Sequence, residues 1–296
     1  MAELIQQQPI DGVIGNNAFL RRIASGLTFT EGPIWDPYGH WLLFSDIAES
    51  VQYQWDDISG LRLFRQPSNQ ANGNCFDNQG RVVSCEHASS HLVIHDHGGK
   101  RVTALATHFD GLELNSPNDV ICDSEGRIWF SDPAFGRLRE DLGLIRDQEL
   151  SFQGVFRLDP DGTLACVVRD LMQPNGLCLS NDEEQLYVND SWGPTIHIYD
   201  VKADGSLSGG DIWTTVTGKG EGVPDGMKVD LSDRVFCNGP GGVHVFTKDA
   251  AHLGVIRTPE KSTNFCFGGR DHATLFITAS SSIYAIETLT SASPAY

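Results

Sequence analysis

Short apolar runs alternating with polar positions cover most of the chain, and one kind of run returns six times, at 41–46, 81–86, 127–132, 185–190, 234–239 and 274–279. The starts lie roughly 40 to 58 residues apart, a spacing that fits propeller blades. Each run is preceded by another apolar run, and turns rich in Asp, Asn and Gly at 36–39, 77–80, 123–126, 181–184, 231–233 and 269–271 join the two as hairpins. A third alternating strand follows in every unit, at 51–55, 91–95, 154–158, 195–199, 242–246 and 282–286. Outer fourth strands fit 61–65, 101–106, 163–168, 212–216 and 252–257, but none follows the sixth unit.

The segment 19–23, ahead of the first unit, has the character to fill that gap and close a ring. The pattern therefore predicts an all-β, six-bladed β-propeller formed by 1–296 as a single domain, with 1–17 as an N-terminal extension. A β-sandwich would need no six equal units. One segment breaks the rhythm: 137–152, long and rich in charge, is either a solvated loop or a lid over the channel mouth.

Composition narrows the functional classes. With 21 basic against 39 acidic residues the net charge is -18, which repels a phosphate backbone and suits cation capture. Nucleic acid is not an expected partner. No long apolar run suggests a membrane segment, and residues 1–10 lack the basic-then-apolar order of an export signal. Seven cysteines, an odd number without paired short spacing, read as small buried hydrophobes in a reducing cytoplasm rather than as a disulfide framework.

Aligning the units places one oxygen-bearing residue just before each first hairpin: Glu31, Asn72, Asn118, Asn175, Asp225 and Asn264. In a propeller the first strand of each blade lines the axis, so these six positions converge at one end of it. Converging buried carboxylates and amides are costly unless a cation lies among them. An all-oxygen set favours a hard ion, with calcium expected and magnesium, manganese or zinc as alternatives. A second tier of acids, Asp46, Glu86, Asp132 and Asp190, follows fourteen or fifteen residues later and returns to the same end. These acids either orient the ring and brace its loops or simply cap strand ends. His87, next to Glu86, is an alternative base or a hydroxyl-binding group.

The motifs Glu31-Gly32-Pro33, Ser116-Pro117-Asn118-Asp119, Pro174-Asn175-Gly176 and Pro224-Asp225-Gly226, one per blade and in order, resemble the senescence marker protein, gluconolactonase and luciferin-regenerating enzyme family. Leu114-Asn115-Ser116-Pro117-Asn118-Asp119, Asp132-Pro133-Ala134-Phe135-Gly136 and Cys85-Glu86-His87 look closest to its bacterial gluconolactonase branch. The resemblance implies one catalytic divalent ion held by Glu31, Asn175 and Asp225, with Asn118 near the substrate and Asp225 also a catalytic carboxylate. Animal members that resemble regucalcin carry arginine where this chain has Ser116; the candidate substrate contacts here are Asn118, Ser116, Asn72, Glu86 and His87.

The implied reaction is hydrolysis of a small sugar lactone such as glucono-1,5-lactone to the aldonic acid. Asn118 would hydrogen-bond the lactone, and Asp225 would serve as ligand and as proton acceptor for water. A carboxylate tied to a cation is a poorer base, so solvent or another acid competes for that second role. A phosphotriesterase of the diisopropylfluorophosphatase type is a rival, because a metal that polarises C=O can also polarise P=O and only the pocket separates the two. A non-catalytic calcium-binding propeller is another.

Overall fold

The computed structural model describes residues 4–96 and 101–293, so residues 1–3 of the expected N-terminal extension lie outside the described residues. Six antiparallel sheets follow one another along the chain as six blades. Their innermost strands are Thr30–Asp36, Ala71–Phe76, Val120–Cys122, Pro174–Leu179, Met227–Val229 and Ser262–Gly268. Each is followed outward by the second and third strands that the alternation predicts, as in Trp41–Asp46 and Val51–Asp56 of the first blade. The apolar faces of neighbouring blades pack on each other rather than on a common centre. One cluster joins Leu42 and Phe44 to Phe276 and Ile283, and another joins Val83 and Cys85 to Phe130 and Phe156.

Turn chemistry explains why the first hairpins form where they do. The carboxylates of Asp77, Asp123 and Asp230 each accept the backbone N–H of the arginine four residues on and pair with its guanidinium, closing the turn from both sides.

Phe19–Ser25 pairs with Ser282–Glu287 as the outer strand of the sixth blade, which closes the ring through the N-terminus as the missing strand implies. The extension ahead of it is more ordered than its polarity suggests. Leu4–Gln6 adds a further strand beyond Phe19–Ser25, and Ile10, Val13 and Ile14 are buried against Phe236, Val245 and Ile277. The largest boundary shift is in the fourth blade, whose outer strand runs Leu207–Thr215 rather than 212–216, with register shifts opposite Ile196–Tyr199. Two positive-φ glycines, Gly209 and Gly210, carry that irregularity and mask its alternation.

The excursion after the third blade's second strand begins with a one-turn helix, Phe135–Leu138. Its anchor is Arg137, 1% exposed, whose guanidinium donates to the carbonyls of Asn115, Leu114 and Asp147, to Ser90 Oγ and to Glu113. Among the described residues no helix is long and apolar enough to cross a membrane.

Candidate active site

The six ring residues are all buried at the start of the innermost strands, between 3% and 7% exposed. Pairing breaks beside them: the register slips between Glu31 and Ile34, Ala71 and Asn74, Pro174 and Leu177, and Ser262 and Asn264. A bulge re-aims side chains, which here lets the ring residues leave the plane of their sheet.

The residue after the ring position is glycine in four blades, and close approach is the reason. A Cβ on Gly32 would lie 2.2 Å from the Asn72 carbonyl oxygen, on Gly73 2.4 Å from that of Asn118, and on Gly176 2.0 Å from that of Asp225. On Gly226 it would lie 2.1 Å from Asn264 Oδ1. Any side chain at these places would push neighbouring strands apart and widen the ring.

The second tier braces the ring from outside. Asp46 accepts the backbone N–H groups of Thr28 and Phe29, Asp132 that of Asn115, and Asp190 those of Met172 and Gln173. In each blade these donors sit two or three residues ahead of the ring residue, so one carboxylate fixes the entry of the chain into the site. Glu86 departs from this: its carboxylate is taken up by Arg65, Asn69 and Ser89.

Electrostatics at the ring favour a bound cation. Burial and the facing Asp225 carboxylate hold Glu31 well above the usual carboxylate range, with Asp119 adding to the push. Burial likewise drives Asp225 up to about 7, against the pull of Lys261 and with repulsion from Asp119. Asn175 Oδ1 is buried without a hydrogen-bond partner, while its Nδ2 donates to Ser191 Oγ at 3.1 Å and Ser191 Oγ in turn donates to the Pro224 carbonyl at 2.6 Å. The Asn175 amide lies within hydrogen-bonding reach of Asp225 and keeps a bare oxygen, and a hard cation would relieve both that oxygen and the buried acids. No three His, Cys, Asp or Glu side chains converge as a ligand set among the described residues, so a cation here depends on amide oxygen as well as on Glu31 and Asp225.

The remaining site residues from the sequence fall into two groups. Asn72 faces the ring beside His87, its Nδ2 3.1 Å from His87 Nε2, and Asn118 lies one blade on with its carbonyl accepting from Gly73 N. Ser116, by contrast, donates to the Pro133 carbonyl at 2.6 Å and accepts from Gly136 N at 3.0 Å, so its hydroxyl is committed to backbone. Sequence reasoning passed over Asp119 and Lys261. Asp119 is buried behind Asn118 with its Oδ2 unpartnered, and burial raises its pKa against the pull of Lys228. Its place directly after a ring asparagine, where the five other blades show glycine or phenylalanine, was the available signal for it. Lys261 had none.

An oxygen-lined, cation-fitting axial site in a six-bladed propeller defines a class, and comparison with known proteins agrees with it. Residues 29–281 match the model of the SMP-30/gluconolactonase/LRE-like region. A gluconolactonase of Zymomonas mobilis is 30% identical over 95% of this chain and 84% of its own. A pentonolactonase of Haloferax volcanii is 29% identical over 84% of this chain and 80% of its own. The solved structure of a gluconolactonase from Xanthomonas campestris superposes with a TM-score of 0.90 at 32% identity, covering 97% of both chains. The chain belongs to the SMP-30/gluconolactonase/LRE-like family.

Proposed function

We propose that this protein hydrolyses a small sugar lactone, with glucono-1,5-lactone as the reference substrate, at the ring end of its channel. The observation that carries this reading is the bare, buried Asn175 Oδ1 in a ring that also holds two carboxylates raised chiefly by burial, Glu31 and Asp225, in a chain whose relatives are named gluconolactonase and pentonolactonase. Glu31, Asn175 and Asp225 would hold one divalent cation, calcium by preference because calcium accepts mixed carboxylate and amide oxygens in irregular geometry. Such an ion supplies Lewis acidity for a polarised carbonyl and its developing oxyanion.

The chain's own residues supply the rest. Asn118 and Asn72, on adjacent blades, offer amide groups for the sugar hydroxyls and the ring ester. Asp225 would accept a proton from the attacking water. Asp46, Asp132 and Asp190 keep the ring in register by holding the backbone ahead of it. Glu86 and Ser116 act on the substrate only through the loops they fasten. The seven free cysteines support a reducing, cytoplasmic setting.

Turnover assays on gluconolactone and on a fluorophosphate, each with calcium and with chelator, test this reading. Lactone hydrolysis that depends on the cation is the expected result. Preferential fluorophosphate turnover would make the protein a phosphotriesterase, and turnover of neither would leave a calcium-binding scaffold.

A further inference from the structure

His87 lies wholly inside the protein and both of its ring nitrogens are engaged. Nδ1 is 2.8 Å from the carbonyl oxygen of Leu142, in the 137–152 excursion, and Nε2 is 3.1 Å from Nδ2 of the ring residue Asn72. A carbonyl oxygen can only accept, so Nδ1 carries the proton, and a neutral imidazole then presents Nε2 as an acceptor. That choice settles the Asn72 amide as well. Its NH₂ group must face His87, which places Oδ1 on the opposite side of the amide.

The excursion is built to deliver that carbonyl. Arg137 ties its start into the blade below, and Leu142 and Leu150 are buried. Gly136 approaches so closely that a Cβ there would lie 2.7 Å from His87 Cβ, and Gly143 sits over it, where a Cβ would lie 2.0 Å from the Gly136 carbonyl oxygen. Gln70, just ahead of Asn72 in its blade, exchanges hydrogen bonds with Gly143 N and O at 3.3 Å when its amide is oriented to satisfy both atoms. The result is one linked set running from the excursion through His87 to the ring.

We propose that His87 is a positioning residue: the Leu142 carbonyl fixes its Nδ1–H form, and through Nε2 it holds Asn72 with the amide oxygen presented to the lactone. The 137–152 excursion thereby sets part of the substrate site through one hydrogen-bond relay. Desolvation lowers the His87 pKa to about 4, which keeps the ring neutral at working pH and its Nε2 occupied by Asn72 rather than free for proton transfer. The proposal rests on the lactonase reading for its kinetic arm only.

Two measurements test it. In long-range proton–nitrogen correlation spectra of the labelled full chain, the His87 signals, assigned by their loss in His87→Phe, should show a protonated Nδ1 and bare Nε2 between pH 6 and 8. An Nε2–H form or a charged ring there would overturn the relay, whatever the protein turns over.

In kinetics at saturating calcium, His87→Gln, whose amide offers both a donor and an acceptor, should keep most of kcat/KM, while His87→Phe should lose about tenfold or more with an unshifted pH profile. Adding His87→Phe to Asn72→Ala should cost little more than Asn72→Ala alone, because both remove the same contact. Equal damage from Gln and Phe together with loss of the acid limb would make His87 a base and sink the proposal. Additive losses would sink it too. If the parent protein turns over no lactone, the lactonase reading fails, and the spectra alone decide the relay.

Discussion

The two ends of the central channel are lined by the same six strands and carry opposite chemistry. At one end stand Glu31, Asn72, Asn118, Asn175, Asp225 and Asn264. About three residues further along, the same strands present Ile34, Cys75, Ile121, Cys178, Lys228 and Phe267 around a cavity of about 330 Å³. Two of the thiols that line it are not nucleophiles: burial pushes Cys178 and Cys266 up to about 12, so they stay protonated. The ring end holds raised carboxylates and a bare amide oxygen, and we place the chemistry there. The difference shows that closing a six-bladed ring does not require an oxygen-bearing residue from every blade on its axis.

Paired changes on one strand sharpen this most. Asn175→Ala should lower turnover by about 10²-fold or more, as loss of a preorganised electrostatic group commonly does. Cys178→Ala, three residues along, should leave turnover within about twofold and cost roughly 1 kcal/mol or less of stability. Steady-state kinetics and melting on both variants check the pair, and comparable losses of turnover would erase the distinction between the ends.

A subtler way to break the ring end leaves every oxygen in place. Gly176→Ala puts a methyl group 2.0 Å from the Asp225 carbonyl, and such overpacking typically costs about 1–3 kcal/mol. Calcium affinity by calorimetry should fall along with stability, since the backbone at Asp225 must move. An unchanged affinity would show that the ring tolerates widening.

Truncation through Ile23 should loosen both ends alike. It removes the outer strand of the sixth blade and the buried Ile10, Val13, Ile14 and Leu20, each contributing roughly 1.5–3 kcal/mol. Thermal melting should shift down by at least ten degrees or so, given about 2–4 °C per kcal/mol at this size. A truncated protein that melts like its parent would mean that the ring closes without this strand.

The smallest effect concerns one brace. Burial raises Asp132 to about 7, so the folded protein favours its protonated form. Its contribution to stability is therefore full below the ordinary carboxylate range and is lost as pH rises toward 7. Relative to Asp132→Asn, the parent should lose a few degrees of melting temperature between pH 5 and pH 8. A difference in melting that does not vary with pH would contradict the raised pKa.

Much of this architecture is legible in the sequence because its signals are local. Period-two alternation and Asp/Gly turns mark the strands, and the absence of a sixth outer strand points to Phe19–Ser25. Features that depend on contacts between blades were not legible. Gly32, Gly73, Gly176 and Gly226 read as parts of motifs, and only the approach of the next blade shows why a side chain fails there. Asp46, Asp132 and Asp190 return to the ring end as hairpin geometry requires, but which backbone groups they hold is a three-dimensional fact. Leu4–Gln6 and the buried Ile10, Val13 and Ile14 follow glutamine-rich or isolated apolar positions too sparse to signal a strand or a core.

If the oxygen ring holds a divalent cation on which lactone hydrolysis depends, Asp225 is the residue whose replacement reports it. Gluconolactone turnover should be measured for the parent and for Asp225→Asn, first in exhaustively chelated protein and then across a calcium titration to saturation. The parent should lose activity on chelation and recover it with calcium, whereas Asp225→Asn should stay about 10²-fold or more below the parent even when saturated, because it lacks the charge and the proton acceptor. Full parental activity in metal-free protein would contradict the account.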